Sequence, residues 1–206
     1  MLARLREQEP WPELDAIAIT HWHLDHWGDL VPWVWGRMFG PGEDTKKPGA
    51  LDSARGAEML EGIGRAPRVS GHVLGHVRPE RVTSTGEPFE TAGFEVTAER
   101  VLHHELLAFG FRASANGAVL AYSGDSGPSD ALPRLAQDAD LFVCEATLLA
   151  PNPEGGTRGH LASDEAVEAF EAADAKRLLI THRPRERPPR LIARAGSRRH
   201  GAPGSR

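Results

Sequence analysis

The chain has 206 residues, 40% of them hydrophobic and 26% charged, with a formal net charge of −5 and a single cysteine, Cys144. That length suits one domain with a core of its own, and the composition excludes a disordered or membrane-spanning average. The longest apolar runs, such as residues 30–35, fall far short of the ~20 residues a bilayer crossing needs.

In chain order, the first fifteen residues carry both signs of charge and lack the apolar stretch of a secretory signal. LDAIAIT (residues 14–20) reads as a buried strand that ends directly on His21. Four tryptophans, Trp22, Trp27, Trp33 and Trp35, crowd the next segment. Core packing is the favoured use for them, with an apolar substrate mouth as the alternative. Residues 40–50 form a turn-rich loop, and residues 53–64 read as a helix N-capped by Ser53. Residues 94–104, 107–113 and 118–124 read as consecutive strands, with Asn116-Gly117 marking a hairpin turn between the last two. A short helix is expected at 130–136, a buried strand at 141–146, a Ser163-capped helix at 164–174 and a final strand at 177–182. Strands followed by alternating helix and strand predict an α/β layer arrangement.

Charge is unevenly spread. Residues 183–206 hold eight arginines against one acid, Glu186, leaving sixteen basic and twenty-eight acidic side chains in residues 1–182. Such an acidic body disfavours nonspecific nucleic-acid binding, which rests on Lys and Arg neutralising phosphates. The Arg/Pro-rich tail is expected to be disordered, with an RNA-binding arm as the alternative. With one cysteine no internal disulfide forms, which fits a reducing, cytoplasmic setting.

Ten histidines are the sharper anomaly, at 21, 23, 26, 72, 76, 103, 104, 160, 182 and 200. HWHLDHWGD places His21, His23, Asp25 and His26 within six residues just past a strand. Alternate residues of extended chain point the same way, so His21 and His23 can approach one ion while Asp25 and His26 turn toward a second. Imidazole and carboxylate suit zinc, with manganese or iron as alternatives. The strands ending near Asp125, Glu145 and His182 each deliver a further acid or ligand at their ends, where α/β folds build sites.

HWHLDH reproduces an HxHxDH signature in full, and YSGDSGPSDAL (122–132), FVCEATL (142–148), GHLASDEA (159–166) and LLITH (178–182) follow it in order. On these residues the sequence resembles the metallo-β-lactamase fold superfamily of metallohydrolases, and within it the ribonuclease Z branch. The resemblance implies an αββα sandwich over residues 1–182. Only twenty residues precede His21, where the superfamily normally carries several strands, so the N-terminal sheet is expected to be truncated. It also implies two divalent metal ions. His21, His23 and one histidine of the 103–104 pair would hold the first; Asp25, His26 and His182 would hold the second; Asp125 would bridge them. A strand aims neighbours at opposite faces, so only one of His103 and His104 serves, and ribonuclease Z spacing slightly favours His104.

Two such ions sharing a water would hold it as hydroxide near neutral pH. Asp25 would orient it, and His160, paired with Glu145, would protonate the leaving group. Transfer-RNA-processing members insert a long arm between the histidine-bearing strand and the SGD block, whereas here residues 112–121 close that gap with a plain hairpin. A small or short nucleotide phosphodiester is therefore the favoured substrate. Transfer-RNA 3′ processing and lactone or thioester hydrolysis are the alternatives, no membrane partner is expected, and a homodimer is compatible with the resemblance.

Overall fold

The computed structural model describes residues 2–8, 14–39, 49–53, 78–82, 85–151, 158–183 and 190–193. Its strands fall into two sheets. The smaller is parallel, in the order β1 (Ala16–Ile19), β2 (Gly49–Ser53), β3 (Arg78–Val82). The larger has seven strands in the order β10-β9-β8-β7-β6-β5-β4. Here β4 (Phe89–Thr91), β5 (Phe94–His103), β6 (Leu106–Ala115) and β7 (Ala118–Tyr122) form an antiparallel meander. Strands β8 (Leu141–Glu145) and β9 (Arg177–Thr181) then run parallel to β7, and β10 (Arg190–Ala193) closes the edge antiparallel to β9. Two sheets with associated helices make the α/β class expected.

Among the described residues five helices accompany the sheets: α1 (Leu2–Gln8), α2 (Leu24–Trp27), α3 (Leu30–Phe39), α4 (Ala131–Leu135) and α5 (Ser163–Ala172). None among the described residues is long and apolar enough to cross a membrane. The large core joins α4 and α5 to the big sheet through Leu132, Leu135, Phe142, Leu161, Phe170, Leu178 and Ile180. Strand β5 changes its buried face midway. Val96 and Ala98 pack with Phe109 and Phe111 on one side, while Val101 and His103 are buried with the opposite parity. That switch delivers His103 to the end of the strand, fully buried.

Several expectations need correction. Ser53 is the last residue of strand β2, and the helix expected after it falls on residues 54–64, outside the described set. Ser163 is the first helical residue of α5, and the capping contact comes from Glu165, whose Oε2 accepts from the Ala162 N–H at 2.9 Å. The run 30–35, noted only for its apolarity, belongs to α3. Trp33 and Val34 are buried there with Ile19 and Leu30, and Trp22 and Trp27 pack against them, so these three tryptophans are core residues. Within the tail expected to lack order, Arg190–Ala193 pairs with β9 because Leu191 and Ile192 continue the strand pattern; residues 184–189 and 194–206 lie outside the described set. The Asn116-Gly117 turn forms as predicted, with φ of 52° and 76° at its two central residues.

Candidate metal centre

Strand ends supply His103, Asp125, Glu145 and His182, and His21 follows β1, while Asp25 and His26 lie on the short helix α2. Thr20 follows β1, and its carbonyl accepts from the Phe109 N–H of β6 at 3.0 Å, tying the small sheet to the large one. Gly124, with φ of +60°, follows β7, and a Cβ there would come within 2.9 Å of both the Phe109 carbonyl oxygen and Thr20 Cβ. Only glycine permits this approach. The same junction carries His21 on one side and Asp125 on the other.

The first group comprises His21, His23, His103 and Asp125, one ligand atom from each lying within 4.8 Å of the others. His23 Nδ1 sits 3.1 Å from His21 Nε2 and 3.0 Å from His103 Nε2. The His103 ring is set by its other nitrogen, Nδ1, which is 2.6 Å from the Gly159 carbonyl oxygen and donates to it. Of the neighbouring pair the structure therefore brings His103 into this group. Strand β5 ends at His103, one residue earlier than expected, and His104 stands exposed in the turn that follows. This geometry goes against the slight preference for His104.

A second group joins Asp25, His26 and His182. Asp25 Oδ2 lies 3.2 Å from His182 Nε2 and 3.4 Å from His26 Nε2. Asp125 stands between the two groups. Its Oδ2 is 3.9 Å from His21 Nε2, 3.3 Å from His26 Nε2 and 3.8 Å from His160 Nδ1, and its Oδ1 is 3.7 Å from His182 Nδ1. Beside them, His160 Nδ1 bonds Glu145 Oε1 at 2.9 Å. Glu145 is buried, and its carboxylate also accepts from the backbone N–H groups of Ser126, Thr147 and Leu161.

The donor set fits divalent metal. His26 Nε2 and Asp125 Oδ1 are buried without any hydrogen-bond partner among the described residues, although each faces an opposite-charge neighbour. Such atoms are costly unless something binds them. Three imidazole nitrogens also converge on one another at His23, a packing that lone pairs tolerate poorly without a cation between them. Burial is the main cause that lowers the His21 pKa to about 3, so this imidazole is neutral and able to ligate. His103 is lowered too, again chiefly by burial. Burial works against the Asp125 carboxylate, yet the facing histidines outweigh it and hold its pKa down at about 2.

Sequence reasoning missed the groups that aim the ligands. Thr20 Oγ1 lies 3.1 Å from His21 Nδ1 and 3.4 Å from His26 Nδ1, and Thr147 Oγ1 lies 2.6 Å from His182 Nδ1. Each occupies one ring nitrogen and leaves Nε2 facing the centre, the usual way in which outer partners orient metal-binding histidines. Thr20 had a signal in its place directly before the HxHxDH run; Thr147 had none.

The chain has relatives among known proteins. The family model described as a beta-lactamase superfamily domain matches residues 2–183. The chain belongs to the beta-lactamase superfamily. Within that superfamily it is 30% identical over 181 residues to an uncharacterized protein of Mycobacterium tuberculosis, covering 82% of this chain and 61% of that protein. It thus spans about three-fifths of the length of this mycobacterial relative. The probable metallo-hydrolase YhfI of Bacillus subtilis is 26% identical over 188 residues, covering 89% of this chain and 72% of YhfI. The YhfI crystal structure superposes with a TM-score of 0.71, covering 89% and 71% of the two chains. A ribonuclease Z of Bacillus licheniformis is 26% identical over 221 residues, covering 82% of this chain and 70% of that enzyme. This is the metallo-β-lactamase fold, which generally binds divalent metals at such a His/Asp cluster.

The buried neutral His21 makes a prediction for the metal-free protein. An unfolded histidine takes up a proton below about pH 6.5, whereas His21 in the folded state resists until about pH 3. The unfolded state therefore binds more protons in that window, and stability falls as pH drops from about 6.5 toward 3. Asp125 adds to the loss between its ordinary value and about 2. Urea midpoints measured in chelator from pH 7 to pH 4 should decline steadily. A flat profile would show that His21 is not buried as described.

Proposed function

We propose that the chain is a divalent-metal-dependent hydrolase of small or short nucleotide phosphodiesters. The observation that carries this reading is a buried carboxylate, Asp125, placed between two ligand groups, with the Glu145–His160 pair alongside. His21, His23 and His103 would hold one ion, Asp25, His26 and His182 the other, and Asp125 would touch both. Zinc suits these ligands, with manganese or iron as alternatives. When bound, such ions supply an ionised water near neutral pH and neutralise charge on phosphoryl oxygens. Asp25, exposed at the rim, is placed to orient the attacking water. His160 is placed to protonate the leaving oxygen. The Glu145 hydrogen bond is the main cause that raises its pKa from the ordinary histidine value, which favours the protonated ring.

The ribonuclease Z relative supports phosphodiester chemistry. A small substrate is favoured over transfer RNA because β6 and β7 are joined by a two-residue turn with no arm, and because residues 1–182 are acidic. A second reading, lactone or thioester hydrolysis, draws on a cavity of about 300 Å³ lined by Leu5, Ile17, Trp27, Leu30 and Trp33 that borders Asp25, His26 and His182. Such a space suits an apolar acyl group.

The test is competition between substrates on the metal-loaded protein. A cyclic nucleotide or a dinucleotide is expected to be hydrolysed with a kcat/KM at least equal to that for precursor tRNA, and faster than a lactone. The small-substrate reading is overturned if precursor tRNA is strongly preferred and the preference disappears on deleting residues 183–206 or adding salt. A lactone cleaved in preference to both would favour the second reading.

A further inference from the structure

His104 was weighed as a metal ligand, and the geometry leaves it outside both ligand sets. Three features nevertheless set it apart. It occupies the first position of the two-residue turn between β5 and β6 with φ of +50°, in the left-handed region that residues other than glycine enter only occasionally. Its ring lies against Gly159 so closely that a Cβ there would fall 2.2 Å from His104 Cδ2 and 2.3 Å from Nε2. Its ring also meets that of His160 edge to face at 5.7 Å between centroids. A left-handed turn position, a glycine that makes room for the ring, and an imidazole held beside the acid His160 are three separate observations on one side chain.

One nitrogen from each of His103, His104 and His160 lies within 4.8 Å of the others. His103 is committed at both nitrogens, to Gly159 and toward His23, and His160 is committed at Nδ1 to Glu145. No hydrogen bond to His104 is found among the described residues, and its ring is exposed to solvent. The His104 and His160 rings lie close enough for an N–H group on each to reach a single oxygen set between them at about 2.8 Å, an ordinary hydrogen-bond length. We propose that His104 is a second hydrogen-bond donor to the leaving oxygen of the substrate, acting beside His160. The inference rests on the phosphodiesterase reading for the identity of that oxygen. Charge builds on it as the P–O bond breaks, so a donor already in place stabilises the transition state more than the ground state.

The variant that isolates this role is His104→Gly, which suits the left-handed turn and removes only the imidazole. Metal content and thermal midpoint should equal those of the parent or rise, since the turn is relieved. Turnover of a dinucleotide, which expels an alkoxide, should fall about 10–100-fold, the worth of one hydrogen bond to a charging group. Bis(4-nitrophenyl) phosphate, whose leaving group needs little help, should be cleaved almost as before. Gly159→Ala, whose methyl would displace the ring, should reproduce the contrast, and the double variant should lose no more than either single one. Equal losses on both substrates, an unchanged rate on both, or loss of metal from His104→Gly alone would each overturn the proposal; metal loss would instead make His104 a ligand. Inorganic phosphate supplies a readout free of turnover. Titrated into the metal-loaded protein, it should move the His104 imidazole NMR resonances and bind about 10-fold more weakly to His104→Gly. If the parent cleaves neither diester, the reading of the reaction fails, and an unmoved His104 resonance then decides separately against the donor role.

Discussion

Asp125→Ala is expected to lower bound metal from two ions per chain to one or none, and to reduce hydrolysis by more than about 100-fold, the upper end of what removal of an outer partner costs a metal site. The reason lies in where the carboxylate sits. It is buried, its two oxygens reach toward His21, His26, His160 and His182, and its pKa is held at about 2 against the cost of burial by His26, His182 and His21, so it is a negative charge at the meeting point of both ligand groups. Two cations a few ångströms apart repel each other, and a charge between them offsets that repulsion. Asp125→Asn keeps the shape and removes the charge, so it should lose metal nearly as badly. Elemental analysis after dialysis checks both variants. Two ions retained in Asp125→Ala would remove the shared role and leave two independent sites.

His160→Ala is expected to leave metal content unchanged and to slow a substrate with a poor leaving group by about 10²–10⁴-fold, the usual worth of a general acid. His160 is anchored through Nδ1 on a buried glutamate that itself accepts from three backbone N–H groups, so the ring is fixed and its pKa is raised, chiefly by that bond. Glu145→Gln keeps the hydrogen-bonding shape and removes the charge. It should lower the pH at which activity falls on the alkaline limb, because the largest influence raising the His160 pKa is its bond to Glu145. Rates on a dinucleotide and on bis(4-nitrophenyl) phosphate, each followed across pH, check the pair. An equal loss on both leaving groups would assign His160 a structural role.

How much of this was legible beforehand follows from which contacts are local. His21, His23, Asp25 and His26 lie within six residues at the end of an apolar strand, and the alternation of an extended chain is enough to point them at shared ions. The helices were legible where apolar spacing continued beyond the cap. The Asn116-Gly117 turn was readable because its left-handed conformation restricts the residue types that adopt it. Strand register was not legible, and the choice between His103 and His104 depended on it. Local spacing accommodates either histidine. The decision came from where β5 stops pairing with β6, from the buried side changing between Ala98 and Val101, and from the Gly159 carbonyl that takes the His103 Nδ1 proton fifty-six residues away.

The amino-acid sequence by itself determined the ligand types, the order of the blocks and the α/β layering, because residue chemistry and short-range periodicity are properties of the chain. Only the tertiary structure decided that Asp125 stands between the two groups, that Thr20 and Thr147 orient three of the histidines, and that His104 is left over beside His160. These are relations between strand ends far apart in the chain. They exist only once the sheets have paired and their ends are brought to one place.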